Sequence, residues 1–405
     1  MITDPVDALT DEAYLDNPRP LYHWLRQHRP VCPMRPGQVA LTRYQDAHLV
    51  VRDPRFRRPG PADIAAAYPE AGRRRAMRLF FGSMAFRNPP ELAPLRKLVT
   101  RELTPRRMNA LAGTVTELSD RLLDGVEERL RDGETVDLHQ EFALGIARAV
   151  LADLLGIPEA DRDWMGESVN RIITVVDPLS TKDQLDAADD ASRQVGEYLG
   201  ELAALRRKDP REDLISAWVN PADGTNPLDN DELTTLMWGI WIAGFESTAS
   251  GIDHGLLVLA RHPESAAWLD GDPARVAAYV NEVVRYEPQV MLTSVSWLAT
   301  EDVPVQDTVI PAGTDVRLLM GALNHDPAVF PDPDRFDPAR PAVQSFAFNQ
   351  GPHHCVGRAL AEMEMSVALG GVRRRLPGLA LVGLPRRVPT LSLRRFARLP
   401  MALDR

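Results

Sequence analysis

Over most of the chain apolar residues recur three and four positions apart, and strict alternation is confined to short runs. The pattern predicts a mainly α protein with a small β region. Residues 11–30 carry an amphipathic helix around Tyr22 and Arg26, Gln38–Leu41 reads as a strand, and Tyr44–Arg52 as a helix that stops before Asp53-Pro54. Periodicity is poor from Arg57 to Asn88, which predicts a loop. Long amphipathic helices follow over 108–157, closed by Gly156 and Pro158, and another over Ala191–Arg207. Asp229-Asn-Asp-Glu232 offers an N-cap and a capping box for the longest helix, which runs to about Arg261. Val276–Arg285 is helical, Ile310–Thr314 turns between short strands, and Leu376–Leu403 is a β-rich end. No linker, repeat or low-complexity tract cuts the chain, so residues 1–405 read as one domain.

The middle of the longest helix, Trp238–Ser250, is apolar on almost every face, which requires burial. Glu246 lies inside it with no basic residue nearby in sequence. A buried carboxylate is costly, so Glu246 is either satisfied locally or handles protons. Ala243 and Gly244 let another group approach the backbone closely, and Ser247 can bond to a backbone carbonyl.

The densest chemistry lies in Ser345–Arg358. Phe346 and Phe348 supply apolar walls, Gly351 and Gly357 permit close approach or a positive φ, and Pro352 stiffens the turn. Helical spacing begins after Cys355, over Val356–Leu369, which puts the cysteine at a helix N-terminus where a thiolate is favoured. A thiolate in an aromatic bed suits a soft metal, with haem iron the leading candidate. Two other readings stand beside it. His353, His354 and Cys355 are all zinc ligands by type, although three adjacent residues do not easily converge on one tetrahedral ion. A buried structural cysteine is the plainer alternative.

Size and charge narrow the partners. With 405 residues and 44% hydrophobic content there is material for a large core and an internal pocket. A net charge of −10 argues against nucleic acid. Two cysteines, Cys32 and Cys355, fit a reducing compartment, with Cys32 read as structural. The first residues lack a basic start followed by an apolar run, and no stretch approaches 18 apolar residues. The expectation is a cytoplasmic protein with no membrane anchor.

Phe348-Asn-Gln-Gly-Pro-His-His-Cys-Val-Gly357 resembles the haem-binding signature of the cytochrome P450 family: Phe, Gly, any, Gly, any, His, any, Cys, any, Gly. Only Asn349 departs. The resemblance implies that family's fold, a single triangular helical domain holding haem b between the long central helix and the cysteine-bearing helix. It implies that Cys355 is the thiolate ligand of the iron, that Phe348, Gly351 and Gly357 shape its bed, and that His353 and Arg96 serve the haem propionates. Ala243, Gly244, Glu246 and Ser247 are similar to the family's proton-delivery pattern, with Ser247 in place of threonine and Ala243 and Gly244 bordering the haem. Ile242, Ala243, Thr293 and Val295 would face substrate. Glu282, Arg285 and Arg335 match a structural network under the haem. Two departures concern the propionates: the family carries histidine where Leu92 stands and commonly arginine where Trp297 stands. Residues 57–88 correspond to the loop over the substrate, and Trp164–Asp189 to a mobile roof.

The implied activity is a haem-thiolate monooxygenase that hydroxylates a bulky apolar or aromatic small molecule in bacterial secondary metabolism. Phe245 and nearby tryptophans would allow such a substrate. Electrons would come from a separate ferredoxin and its NAD(P)H-dependent reductase, docking near Arg358, Arg106 and Arg107, and the enzyme would be a monomer. Two alternatives remain at this point: oxidative coupling or rearrangement without oxygen insertion, and a non-catalytic haem-thiolate sensor.

Overall fold

The computed structural model describes residues 8–177, 179–221, 228–341 and 343–404. The start of the chain, read above for a leader, lies largely outside them. Helices dominate and the strands are short. Two compact units separate by their internal contacts: Met1–Arg58 with Ala110–Ile146 and Ser247–Arg405, and Pro59–Asn109 with Ala147–Glu246.

The first unit holds the described β structure. Its five-stranded sheet runs in the order Val31–Pro33, Gln38–Leu41, Asp315–Leu318, Trp297–Ala299, Phe56–Arg57. Gln38–Leu41 is parallel to Asp315–Leu318 and the other neighbours are antiparallel. Tyr44, Val51, Phe56, Trp297, Val316, Phe330 and Phe346 share one core beside this sheet. Each large apolar side chain so buried contributes about 1.5–3 kcal/mol. That core fixes Phe346, the residue that opens the cysteine loop.

Beneath it, the helix Pro273–Tyr286 presents Glu282 and Arg285 as a two-pronged buried pair, Nε and Nη2 each donating at 2.7 Å. Arg285 also donates to the carbonyls of Asn324 and Pro333, at 2.8 and 3.0 Å. The third arginine is not Arg335. That side chain is exposed and pairs with Asp337, leaving only its carbonyl to the network. Arg340 takes the place, donating Nε to Glu282 Oε1 at 3.3 Å. Arg335 and Arg340 lie five residues apart in one irregular segment, so sequence spacing alone does not separate the inward side chain from the outward one.

The second unit is helical. Poor periodicity over 57–88 conceals two short helices, Pro61–Ala67 and Arg75–Gly82. Helices of seven or eight residues contain too few turns to establish a period, and these are fixed otherwise. Pro61 and Asp63 start the first, with Gly60 N donating to Asp63 at 2.7 Å. Distant acids tether the second: Ala76 N donates to Asp189 and Arg74 to Asp186, both at 2.7 Å.

The supposed roof over 164–189 is largely helix as well, through Arg162–Ile172 and the turn Ile173–Val176. The following helix begins at Lys182, ahead of Ala191, because Thr181 and Gln184 form a capping box at 3.3 and 2.8 Å. Trp218 and Trp241 are core side chains whose indoles donate to Leu98 O and Met165 O. The longest helix, Asn230–Arg261, starts in this unit and continues into the first. Its expected capping box is present, with Asp229 and Glu232 bonded reciprocally at 2.8 and 3.2 Å.

Candidate active site

The cysteine loop is built by turns that hold one thiol outward. Phe346 N donates to the buried side chain of Asn324 at 2.7 Å, and Asn349 N closes a turn onto Phe346 O at 2.8 Å. Asn349, the one departure from the signature, has φ +56°. Asparagine is among the few residues that tolerate this left-handed region, so it serves where glycine is expected. Gly351 has φ +69°, and a Cβ there would lie 2.6 Å from Val51 O. No other residue fits that position. Gln350, between them, is buried and donates to Tyr44 Oη at 2.8 Å and Gln344 O at 3.1 Å.

Cys355 N then donates to Phe348 O at 2.8 Å, and the thiol is exposed. The next helix spans Arg358–Arg375, so Cys355 precedes it by two residues more than the spacing suggested. Gly357 lies at φ −87°, and a Cβ there would meet Cys355 Sγ at an ordinary 3.9 Å. Its lack of a side chain keeps space beside the sulfur and does not serve backbone strain. Phe348 and His353, on the same loop, are half-buried.

Along the long helix, burial is broken by one stripe. Trp241, Ile242, Phe245, Glu246, Thr248 and Ala249 are buried, whereas Ala243 is exposed and Gly239, Ile240, Gly244 and Ser247 are partly so. These open positions are three, four, seven and eight apart and therefore share one face. Ala243, Gly244 and Ser247 lie on it. Ile242, Phe245, Trp238 and Trp241 are buried on the other faces. Gly244 is packed closely, since a Cβ there would lie 3.2 Å from Leu151.

The remaining residues divide between open and occupied positions. Thr293 is buried with its hydroxyl accepting from Leu318 N at 3.0 Å, so the sheet uses it. Val295 is half-buried. Arg96 is half-buried on the helix Leu92–Thr100, where Leu92 itself is core.

The family profile of the cytochromes P450 matches residues 81–270 and 276–375. The chain belongs to the cytochrome P450 family. It is accordingly a monooxygenase of the oxidoreductase class. Cytochrome P450 BJ-3 of Bradyrhizobium diazoefficiens is 35% identical, with 99% of this chain and 96% of that one covered. The 6-deoxyerythronolide B hydroxylase of Saccharopolyspora erythraea is 34% identical over the full length of both. Among solved structures, P450BioI in complex with a hexadec-9Z-enoic acid ligated acyl carrier protein superposes with TM-score 0.87 at 28% identity, covering 97% of this chain and 99% of that one.

A cytochrome P450 carries a haem iron, and the donor set here fits one. A single exposed thiol stands on the loop that carries half-buried Phe348, and Cys355 N donates to Phe348 O. Among the described residues no three His, Cys, Asp or Glu side chains gather, so the zinc alternative has no assembled ligand set. No helix among them is long and apolar enough to cross a membrane.

Sequence reasoning missed two features of this cytochrome P450. One is a buried ionic chain beside the second half of the long helix. His254 Nδ1 bonds Ser250 O at 2.7 Å, which leaves Nε2 to accept from Arg387 Nη1 at 3.0 Å. Glu287 sits between Arg19, at 2.5 Å, and Arg394. Burial opposes its charge, but Arg394 and Arg19 outweigh that and hold its pKa well below the usual range. The other is Arg58, buried against Trp297, with burial pushing its pKa down to about 9. Nothing in the local pattern at either place distinguishes these charges from solvated ones; only the fold buries them.

Proposed function

We propose that this cytochrome P450 binds haem b through the thiolate of Cys355 and hydroxylates a bulky apolar small molecule in bacterial secondary metabolism. The observation that carries the reading is the exposed Cys355 thiol on a loop specified by Asn349 and Gly351. Haem supplies the dioxygen-activating and one-electron chemistry that no side chain provides. Cys355 would bind it, Phe348 would supply an apolar wall, Gly357 would leave room beside the sulfur, and His353 and Arg96 would serve the propionates.

Glu246 and Ser247 have separate parts. Ser247, on the open stripe, would hold a proton-bearing hydroxyl toward the reaction space, and buried Glu246, one residue earlier, would resupply it. Serine lacks the threonine methyl, so its rotamer is less fixed. Ala243 and Val295 would border substrate. Electrons would arrive from a ferredoxin and an NAD(P)H-dependent reductase, with Arg358 as the docking cation. Its side chain is partly exposed and already oriented by Glu362 at 2.8 Å and Asn281 at 3.1 Å.

The decisive experiment is the carbon monoxide difference spectrum of the reduced protein beside Cys355→Ala. A strongly red-shifted Soret band that the variant loses is the expected result. A histidine-type band, or a variant spectrum unchanged from wild type, refutes thiolate ligation by Cys355.

A further inference from the structure

Arg58 is a charge that only the fold buries. Strand Phe56–Arg57 pairs antiparallel with Trp297–Ala299 in the register Phe56 to Ala299 and Arg57 to Leu298. One step further sets Arg58 opposite Trp297. Its guanidinium lies over the Trp297 ring, 3.7 Å from the centroid, and Nη1 donates to Ser296 O at 2.9 Å and Val295 O at 3.3 Å. Only 3% of the residue is exposed. Arginine keeps its proton at neutral pH even when burial weakens it, so this is a fixed, desolvated cation on an aromatic shelf.

Its surroundings tie it to the cysteine loop. Trp297 and Phe56 belong to the same core as Phe346, Tyr44 and Val51. Phe346 opens the loop, Tyr44 holds Gln350, and Val51 abuts Gly351. The strand that leads to Arg58 and the loop that leads to Cys355 therefore pack against one core. Position 297 is also where an arginine for a haem propionate was expected and a tryptophan stands.

We propose that Arg58 supplies the cation that receives a haem propionate, carried on the neighbouring strand in place of an arginine at position 297, with Trp297 as its platform. The assignment rests on the haem reading above. It adds a cofactor-binding residue outside the segments that carry the signature. Arg317, also buried on the adjacent strand, is suited to a different task, since Asp315 lies 3.6 Å from it as an ionic partner.

The test compares haem release from the purified holoprotein to excess apomyoglobin, followed in the Soret region, for wild type, Arg58→Met, Arg58→Lys and Arg58→Leu combined with Trp297→Arg. Arg58→Met should release haem about tenfold faster or more, as expected for loss of a buried charge-assisted bond. Arg58→Lys should fall between, and the double variant should recover retention. Apoproteins reconstituted with haem dimethyl ester, which has no carboxylate, should release it at equal rates with and without Arg58.

Wild-type retention in Arg58→Met overturns the proposal, as does a difference that persists with the dimethyl ester, which would make Arg58 merely structural. Unchanged haem retention with lost binding of carboxylate-bearing ligands would assign Arg58 to substrate and also overturns it. If Arg58→Met fails to fold, Arg58→Lys compared with wild type on haem and on its dimethyl ester still decides. Failure of the haem reading itself is distinct: wild type would then lack a thiolate-type spectrum.

Discussion

Replacing Arg340 tests whether this side chain, and not Arg335, completes the network under the cysteine loop. Arg340 donates Nε to Glu282 at 3.3 Å, Nη2 to Asp332 O and Arg335 O at 3.1 Å each, and Nη1 to Pro331 O. A bond to a charged acceptor is worth about 1.5–3 kcal/mol and one to a carbonyl about 0.5–1.5, less where water can substitute. Arg340→Met should therefore destabilise by about 2–4 kcal/mol. At roughly 2.1 cal/mol/K per residue the unfolding entropy of a chain this size is about 0.85 kcal/mol/K, so the melting temperature should fall by about 2–5 °C.

Arg285→Met should be worse, about 3–5 kcal/mol, because it leaves the buried Glu282 charge without its two-pronged partner. Arg335→Met keeps the carbonyl that Arg285 and Arg340 use and loses only an exposed pair, so its melting curve should overlay wild type. Thermal unfolding of the holoprotein, followed in the Soret band and by far-ultraviolet circular dichroism, measures all three. Equal losses from Arg335→Met and Arg340→Met would refute the assignment.

The turn residues make a second set of expectations. Gly351→Ala combines a positive φ with a Cβ contact of 2.6 Å and should cost about 2–4 kcal/mol in urea unfolding. Asn349→Ala should cost about 1–2 kcal/mol and Asn349→Gly close to nothing; the reverse order would deny the left-handed conformation. A third concerns pH. Burial, with Arg387 and Arg394 around His254 and Arg19 and Arg285 around His325, pushes both imidazoles well below 6.5. Unfolded chains bind protons near 6.5 and the folded one does not, so stability is full above that pH and lost below it. The slope should approach about 1.4 kcal/mol per pH unit for each histidine. Urea midpoints that stay level from pH 7.5 to 5.5 would contradict it.

Local chemistry by itself determined what depends on near neighbours in the chain. The capping box at Asp229 and Glu232, the apolar run of the long helix, and the Phe-to-Gly framework around Cys355 follow from residues within one or two turns, where spacing translates directly into contact. So did the departure at Asn349, since only a few residue types accept its backbone angle. Tertiary structure decided the rest. Which of two arginines five residues apart turns inward depends on where Glu282 lies, more than 50 residues away. Which face of an almost uniformly apolar helix stays open depends on what packs around it, and so Ala243 is exposed while Ile242 is core. Arg58 acquires its meaning only from a strand pairing across some 240 residues. Charge in a sequence is visible, but the cost of burying it, and hence its use, belongs to the fold.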